Sequence, residues 1–174
     1  MSIFGFSLGY AIMVMMTAKW TIDIRVDSGY RRLLKARRLR QIAAAVLAAE
    51  GVGPGVKLSL VFTGDNTVKE LNRQYRGQDK TTDVLAFPLG EDSAAFVSPP
   101  GAAAHLGEVI ISYPQASRQA KEAGHTPDKE LALLIIHGVL HILGYDHQRA
   151  AQAQRMRARE QAILVQIFDS EAST

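Results

Sequence analysis

The 174-residue chain contains no cysteine. That excludes disulfide scaffolds, thiolate zinc clusters, iron–sulfur centres and cysteine nucleophiles. It agrees with a reducing compartment such as the cytoplasm without requiring one. Aromatic residues make up 7% with a single tryptophan, and there is no RRM-like aromatic signature or glycine-rich phosphate loop. The formal net charge is only +3, so an anionic partner would be met by local clusters of basic residues and not by the overall field. Long apolar runs are also scarce, with one exception. The first 18 residues carry no charged side chain, and Ile3 to Met16 is borderline in length for a membrane span. Ser2, Gly5, Ser7, Gly9 and Tyr10 dilute it, and no basic residue precedes it as a secretory signal requires. Three readings fit: an N-terminal extension upstream of a true start at Met13, Met15 or Met16, a signal anchor, or a cleaved signal. The extension is preferred. The expected division is therefore residues 1–18 as an apolar extension and 19–174 as the functional domain, without stable membrane association.

What is present is the mix of a globular protein, 47% hydrophobic and 21% charged, at a length that suits one domain with a substantial core. Ile22, Ile24 and Val26 alternate with Thr21, Asp23 and Arg25 as in a half-buried strand, ended by Ser28 and Gly29. Tyr30 to Glu50 places Leu34, Leu39, Ile42, Val46 and Ala49 at helical spacing and stops at Gly51. Val56, Leu58, Leu60 and Phe62 alternate again. Thr67 and Glu70 predict a capping box for a helix reaching Tyr75 or Arg76, closed by Gly77. Asp83 to Phe87 and Leu106 to Ser112 read as short strands, with Gly90 to Ala104 a mobile surface loop between them. A helix over Pro114 to Ala123 turns at Gly124. Thr126 and Pro127 then suit the N-cap and first residue of the next helix, whose positive end carries Asp128 and Glu130. Leu131 to Leu143 is nearly all apolar, so this helix is central and buried, with Gly144 as its left-handed stop. A last amphipathic helix, Ala150 to Phe168, covers one side of it. The irregular order of strands and helices predicts a compact α+β domain: a small mixed four-stranded sheet packed with several helices around the histidine-bearing one.

Three of the five histidines fall in the string HGVLHILGYDH: His137, His141 and His147. Residues 137 and 141 stand one above the other on a helix, close enough to share a metal ion, and Gly144 lets the chain return His147 to that face. A lone histidine on an apolar helix is usually a hydrogen-bonded core residue. Two imidazoles inside an aliphatic helix carry a desolvation cost that a metal removes. Three neutral imidazoles suit one Zn²⁺ and leave a fourth position for a water acidified to a pKa of about 7; nickel or copper bind the same donors in vitro. The frame matches the zinc metalloprotease motif H-E-x-x-H-x-x-G-x-x-H except that Gly138 stands where the general base would be. Gly138 reads as a site of close helix packing.

HGVLHILGYDH, the segment LNRQYRGQDKTTDVLAFP (Leu71 to Pro88) and LGEVIIS (Leu106 to Ser112) together resemble the YbeY family of bacterial metal-dependent endoribonucleases, in the family's order and over about Trp20 to Ile167. The resemblance implies a single-strand-specific endoribonuclease acting in ribosomal RNA maturation, notably at the small-subunit RNA 3′ end, and in ribosome quality control. It implies a zinc ion on His137, His141 and His147. It matches Arg76 to the arginine the family associates with activity. The candidate catalytic residues are thus Arg76 and the ligand His137. A guanidinium at a helix end could grip the scissile phosphate and stabilise its developing charge; alone, it would read as an ordinary helix-end arginine. The expected partners are single-stranded RNA and not DNA, the ribosomal small subunit and an assembly GTPase. Two other readings stay open: an assembly factor with a structural metal, and a zinc hydrolase of peptide or ester bonds.

Asp146 could orient a ligand imidazole or simply form a turn, and Asp83 could cap a strand start or steady Arg76. Glu108 and Ala86 depart from the family's usual Asp and Ser, which weakens any chemical role there. His105 and His125 are expected in solvent. Arg31, Arg32, Lys35, Arg37, Arg38 and Arg40 on one helix, and Arg149, Arg155, Arg157 and Arg159 on or near another, are either solvated faces or RNA-binding clusters.

Overall fold

The computed structural model describes residues 20–89 and 103–172. The expected extension 1–18 lies outside the described residues, and so does nearly all of the expected 90–104 loop. The order of elements is β1 (Thr21–Val26), α1 (Ala36–Ala49), β2 (Val56–Thr63), α2 (Asp65–Arg76), β3 (Val84–Pro88), β4 (Ala104–Ser112), α3 (Tyr113–Ala123), α4 (Pro127–Ile142) and α5 (Ala150–Ala172). The sheet runs β1-β2-β4-β3, with β1, β2 and β4 parallel and β3 antiparallel on the edge. This is the mixed four-stranded α+β domain that the sequence pattern predicts.

Strand alternation divides the core. Leu58, Leu60, Phe62, Val109 and Ile111 face a large cluster with residues of α1, α4 and α5. Ile110 and Leu85 face the other side, where Val68 of α2 covers them. Helices α1, α4 and α5 therefore pack on one face and α2 on the other. Toward β1 the second face stays polar: Lys57 pairs with Asp23 at 2.8 Å and Arg25 with Glu108 across β2. On the free edge of β1, Arg40 and Arg31 donate to the carbonyls of Ile22 and Val26 at 3.1 and 3.3 Å. Those bonds occupy backbone acceptors that would otherwise recruit another strand.

Four expectations need correction. The helix predicted from Tyr30 begins at Ala36, because Ser28–Tyr30 forms a 3-10 turn. The Leu33 and Leu34 amides donate to the Tyr30 carbonyl while the Tyr30 ring packs against Tyr113 at 5.3 Å. No side chain caps α1. Helix α2 starts at Asp65, two residues before the predicted capping box, because the Asp65 carboxylate is held by the Ser112 hydroxyl (2.6 Å) and Arg118 (2.8 Å). His105 lies on β4 beside Ser59 (3.2 Å) and is not in an exposed loop, since β4 reaches back to Ala104. His125 is half-buried, its Nε2 3.1 Å from a Glu130 carboxylate oxygen.

Candidate metal centre

The Thr126 hydroxyl accepts from the Lys129 amide at 3.2 Å, Pro127 occupies the first turn of α4, and Asp128 and Glu130 face the positive end of the helix dipole. Leu131, Ala132, Ile135, Ile136, Val139 and Leu140 are buried against the sheet and helices. Each large side chain among them contributes about 1.5–3 kcal/mol by leaving water, so the register of α4 is firmly set. Gly138 is part of that fit. A Cβ there would lie 2.5 Å from Val109 Cγ1, so any larger residue would force the buried Val109 side chain or α4 itself to shift.

The partly open face of α4 carries His137 and His141, with ring centroids 4.6 Å apart. The helix then ends on a Schellman motif. The Tyr145 amide donates to the Leu140 carbonyl at 3.0 Å and the Gly144 amide to the His141 carbonyl at 3.1 Å, with Gly144 at φ +98°. This reversal returns His147 to within 5.9 Å of His137 and 4.8 Å of His141, ring to ring. One nitrogen from each histidine lies within 4.8 Å of the others. His141 Nε2 and His147 Nδ1 are 3.0 Å apart, near the roughly 3.3 Å between nitrogens on one tetrahedral zinc with bonds of about 2.0–2.1 Å. An all-imidazole set with its third member exposed fits a zinc-type ion with an open coordination position. Burial first, then repulsion from His137 and His147, holds the His141 pKa below the usual imidazole range. That favours the neutral, ligating form at pH 7.

The supporting interactions come from α5. His137 Nδ1 lies 2.6 Å from Glu160 Oε1, so it donates to the carboxylate and leaves Nε2 free to face the other histidines. One residue earlier, Arg159 pairs with Glu50 and donates to the Ala49 carbonyl, and the Tyr145 hydroxyl donates to Glu50 at 2.8 Å. The adjacent pair Arg159 and Glu160 thus steadies both parts of the triad: the helix histidine directly and the loop of His147 through Glu50 and Tyr145. Arg159 is accordingly not part of a free RNA-binding cluster. Asp146 does not orient an imidazole. Its Oδ1 accepts from the His147 and Gln148 amides at 2.6 and 3.2 Å, the turn-forming alternative.

Arg76 is exposed at the end of α2 and makes no hydrogen bond or ion pair among the described residues. It does not touch the triad. Tyr75 beside it packs on Phe87, whose strand partner Glu108 adjoins Gly107, and a Cβ at Gly107 would lie 3.0 Å from Ile142 Cδ1. The C-termini of α2 and α4 therefore approach the same end of β3 and β4 from opposite faces. Asp83 caps the start of β3 through the Val84 amide (2.8 Å) and accepts from Gln119 (3.2 Å), so it does not steady Arg76. A depression of about 640 Å³ bounded by Asp27, Tyr30, Gly64, Asp65 and Pro114 sits at the opposite end of the sheet, beyond the last residues of β1 and β2. Its two carboxylates make it a poor seat for a polyanion.

A family model described as Endoribonuclease YbeY matches residues 26–167. The chain belongs to this family. A YbeY endoribonuclease of Dehalococcoides mccartyi (strain CBDB1) is 44% identical over 153 residues, covering 84% of this chain and 92% of the relative. One from Moorella thermoacetica is 50% identical over 129 residues, covering 72% and 82%. A solution structure from Thermotoga maritima superposes with a TM-score of 0.58 at 27% identity, covering 88% of this chain and 93% of that one. The YbeY-matched segment contains Arg76, the triad and Glu160. No helix among the described residues is long and apolar enough to cross a membrane.

Proposed function

We propose that this chain is a zinc-dependent, single-strand-specific endoribonuclease that matures ribosomal RNA in the cytoplasm, notably the small-subunit RNA 3′ end, and serves ribosome quality control. The observation that carries the reading is the solvent-open imidazole triad, within 4.8 Å nitrogen to nitrogen, in a chain of the YbeY family. In this reading His137, His141 and His147 hold one Zn²⁺. When bound, zinc supplies a Lewis acid for a phosphate oxygen and lowers the pKa of an attacking water or ribose hydroxyl. Glu160 keeps the His137 proton on Nδ1. Arg76, with no carboxylate partner among the described residues, grips the scissile phosphate through two N–H groups and stabilises the charge that develops there.

The RNA backbone is met by exposed basic side chains. Arg149, Arg155 and Arg157 lie just beyond the loop of His147, while Arg31, Arg32, Lys35 and Arg37 precede or open α1. The first cluster serves the cleaved strand. The second lies past the far end of α1, on the order of 20 Å away, and suits a more distant segment of the ribosomal small subunit. An assembly GTPase is the second proposed partner.

Peptide hydrolysis is disfavoured because Gly138, packed against Val109, stands where the metalloprotease motif needs its glutamate base. A purely structural metal is disfavoured because the triad lies outside the large hydrophobic cluster and its third member, His147, is exposed, so an ion there would keep a position open to solvent. The test is cleavage of a labelled single-stranded rRNA 3′ fragment and of its duplex by zinc-loaded protein and by Arg76→Ala. Cleavage of the single strand alone, reduced about 10²–10³-fold by the substitution, is expected. Full cleavage by Arg76→Ala would remove the proposed role of that residue.

A further inference from the structure

We propose that Tyr75 forms a stacking subsite for one unpaired nucleobase flanking the scissile phosphate, an inference that rests on the endoribonuclease reading above. Tyr75 is 62% exposed although it belongs to the last turn of an otherwise well-anchored helix. Its ring is not loose. It meets Phe87 of β3 at 5.3 Å between centroids with the planes 65° apart, and Phe87 is itself packed against the cluster of Val68, Leu85 and Ile110. At that angle Phe87 supports Tyr75 without lying flat on it. With 62% of the residue exposed and one edge-on aromatic neighbour, Tyr75 offers ring surface to a base on a ring whose orientation is already restricted, so little further conformational entropy is lost when a base arrives.

The neighbours say what would cover that face. Arg76, the next residue, is exposed and has no acceptor among the described residues. An aromatic platform beside an exposed guanidinium is complementary to a nucleotide, with its flat base and its anionic phosphate. The pair stands at the end of β3 that α4 also approaches with its histidine-bearing C-terminus. Stacking on an aromatic side chain tolerates every base, because each has a π-face, but it requires a base released from its own stack. In a duplex both faces of each base are already covered. Tyr75 would therefore favour single strands without sequence readout.

The test uses zinc-loaded wild type, Tyr75→Ala and Tyr75→Phe, with a labelled single-stranded rRNA fragment and versions of it bearing one abasic site walked across the cleavage position. For wild type, one abasic position next to the cleaved bond should lower kcat/KM about tenfold or more, mainly through KM. Tyr75→Ala should show a similar loss on intact RNA and no further loss at that abasic position, while Tyr75→Phe should restore wild-type behaviour. Losses from Tyr75→Ala and the abasic site that multiply independently would overturn the subsite. So would a wild type indifferent to every abasic position, a result that stands even if Tyr75→Ala misfolds. No cleavage of any RNA by wild type would sink the endoribonuclease reading and the subsite together.

Discussion

Removing the Glu160 carboxylate perturbs the triad without touching a ligand. Glu160 Oε1 lies 2.6 Å from His137 Nδ1 and its side chain is 19% exposed, so water replaces the missing acceptor only in part. A hydrogen bond to a charged group contributes about 1.5–3 kcal/mol. If that stabilisation is expressed only when Nε2 is presented to a metal, the loss corresponds to roughly 10–100-fold in affinity. Glu160→Ala should therefore weaken zinc binding by that factor, measured by competition with a chromophoric chelator at pH 7. Glu160→Gln, which keeps an acceptor but no charge, should fall between. Cobalt-substituted protein gives a second readout, because a rotated imidazole changes the visible ligand-field bands. Zinc affinity within twofold of wild type in a folded Glu160→Ala protein would refute this account of the carboxylate.

Tyr145→Phe should lower stability by about 1 kcal/mol by leaving Glu50 short of a donor, and should weaken zinc binding less than Glu160→Ala does; melting and chelator competition measure the two. Gly138→Ala should cost about 1–3 kcal/mol, since its Cβ would crowd Val109 to 2.5 Å, read from urea midpoints. The depressed His141 pKa has a defined sign: the folded metal-free protein binds fewer protons there than the unfolded chain. Its stability should fall as pH drops below the ordinary imidazole value of 6.5 and continue down to the folded pKa, whereas His141→Gln should flatten that part of the profile. Replacing Arg31 and Arg32 by alanine should weaken RNA binding and reduce the salt slope by about 0.7 for each phosphate that is no longer neutralised.

The triad was legible because its geometry is local. Spacing of four places two imidazoles on one helix face, and a single glycine explains the return of the third. Helix ends at Gly77, Gly124 and Gly144 and the cap at Thr126 were legible for the same reason, since each depends on residues within a few positions. Tertiary interactions were not. Nothing local to Tyr30 shows that its ring will lean on Tyr113 and delay α1 to Ala36, and Asp65 displaces the Thr67 box through Ser112, 47 residues away. Glu160 was missed because its partner is 23 residues distant on another helix. A signal was there: it stands four residues after buried Met156 and three before buried Ile163, a carboxylate on the apolar stripe of α5. Such a group must find a donor when buried. Arg159, grouped with basic neighbours by sequence, was separated from them only by its pairing with Glu50.

The central claim is that RNA cleavage belongs to the histidine site. Its most direct test compares highly purified zinc-loaded wild type with His141→Ala on the same labelled single-stranded rRNA fragment, with metal content and folding measured for both. The account predicts about one zinc per wild-type chain with cleavage, and a folded variant with neither. Equal cleavage by both proteins would contradict it.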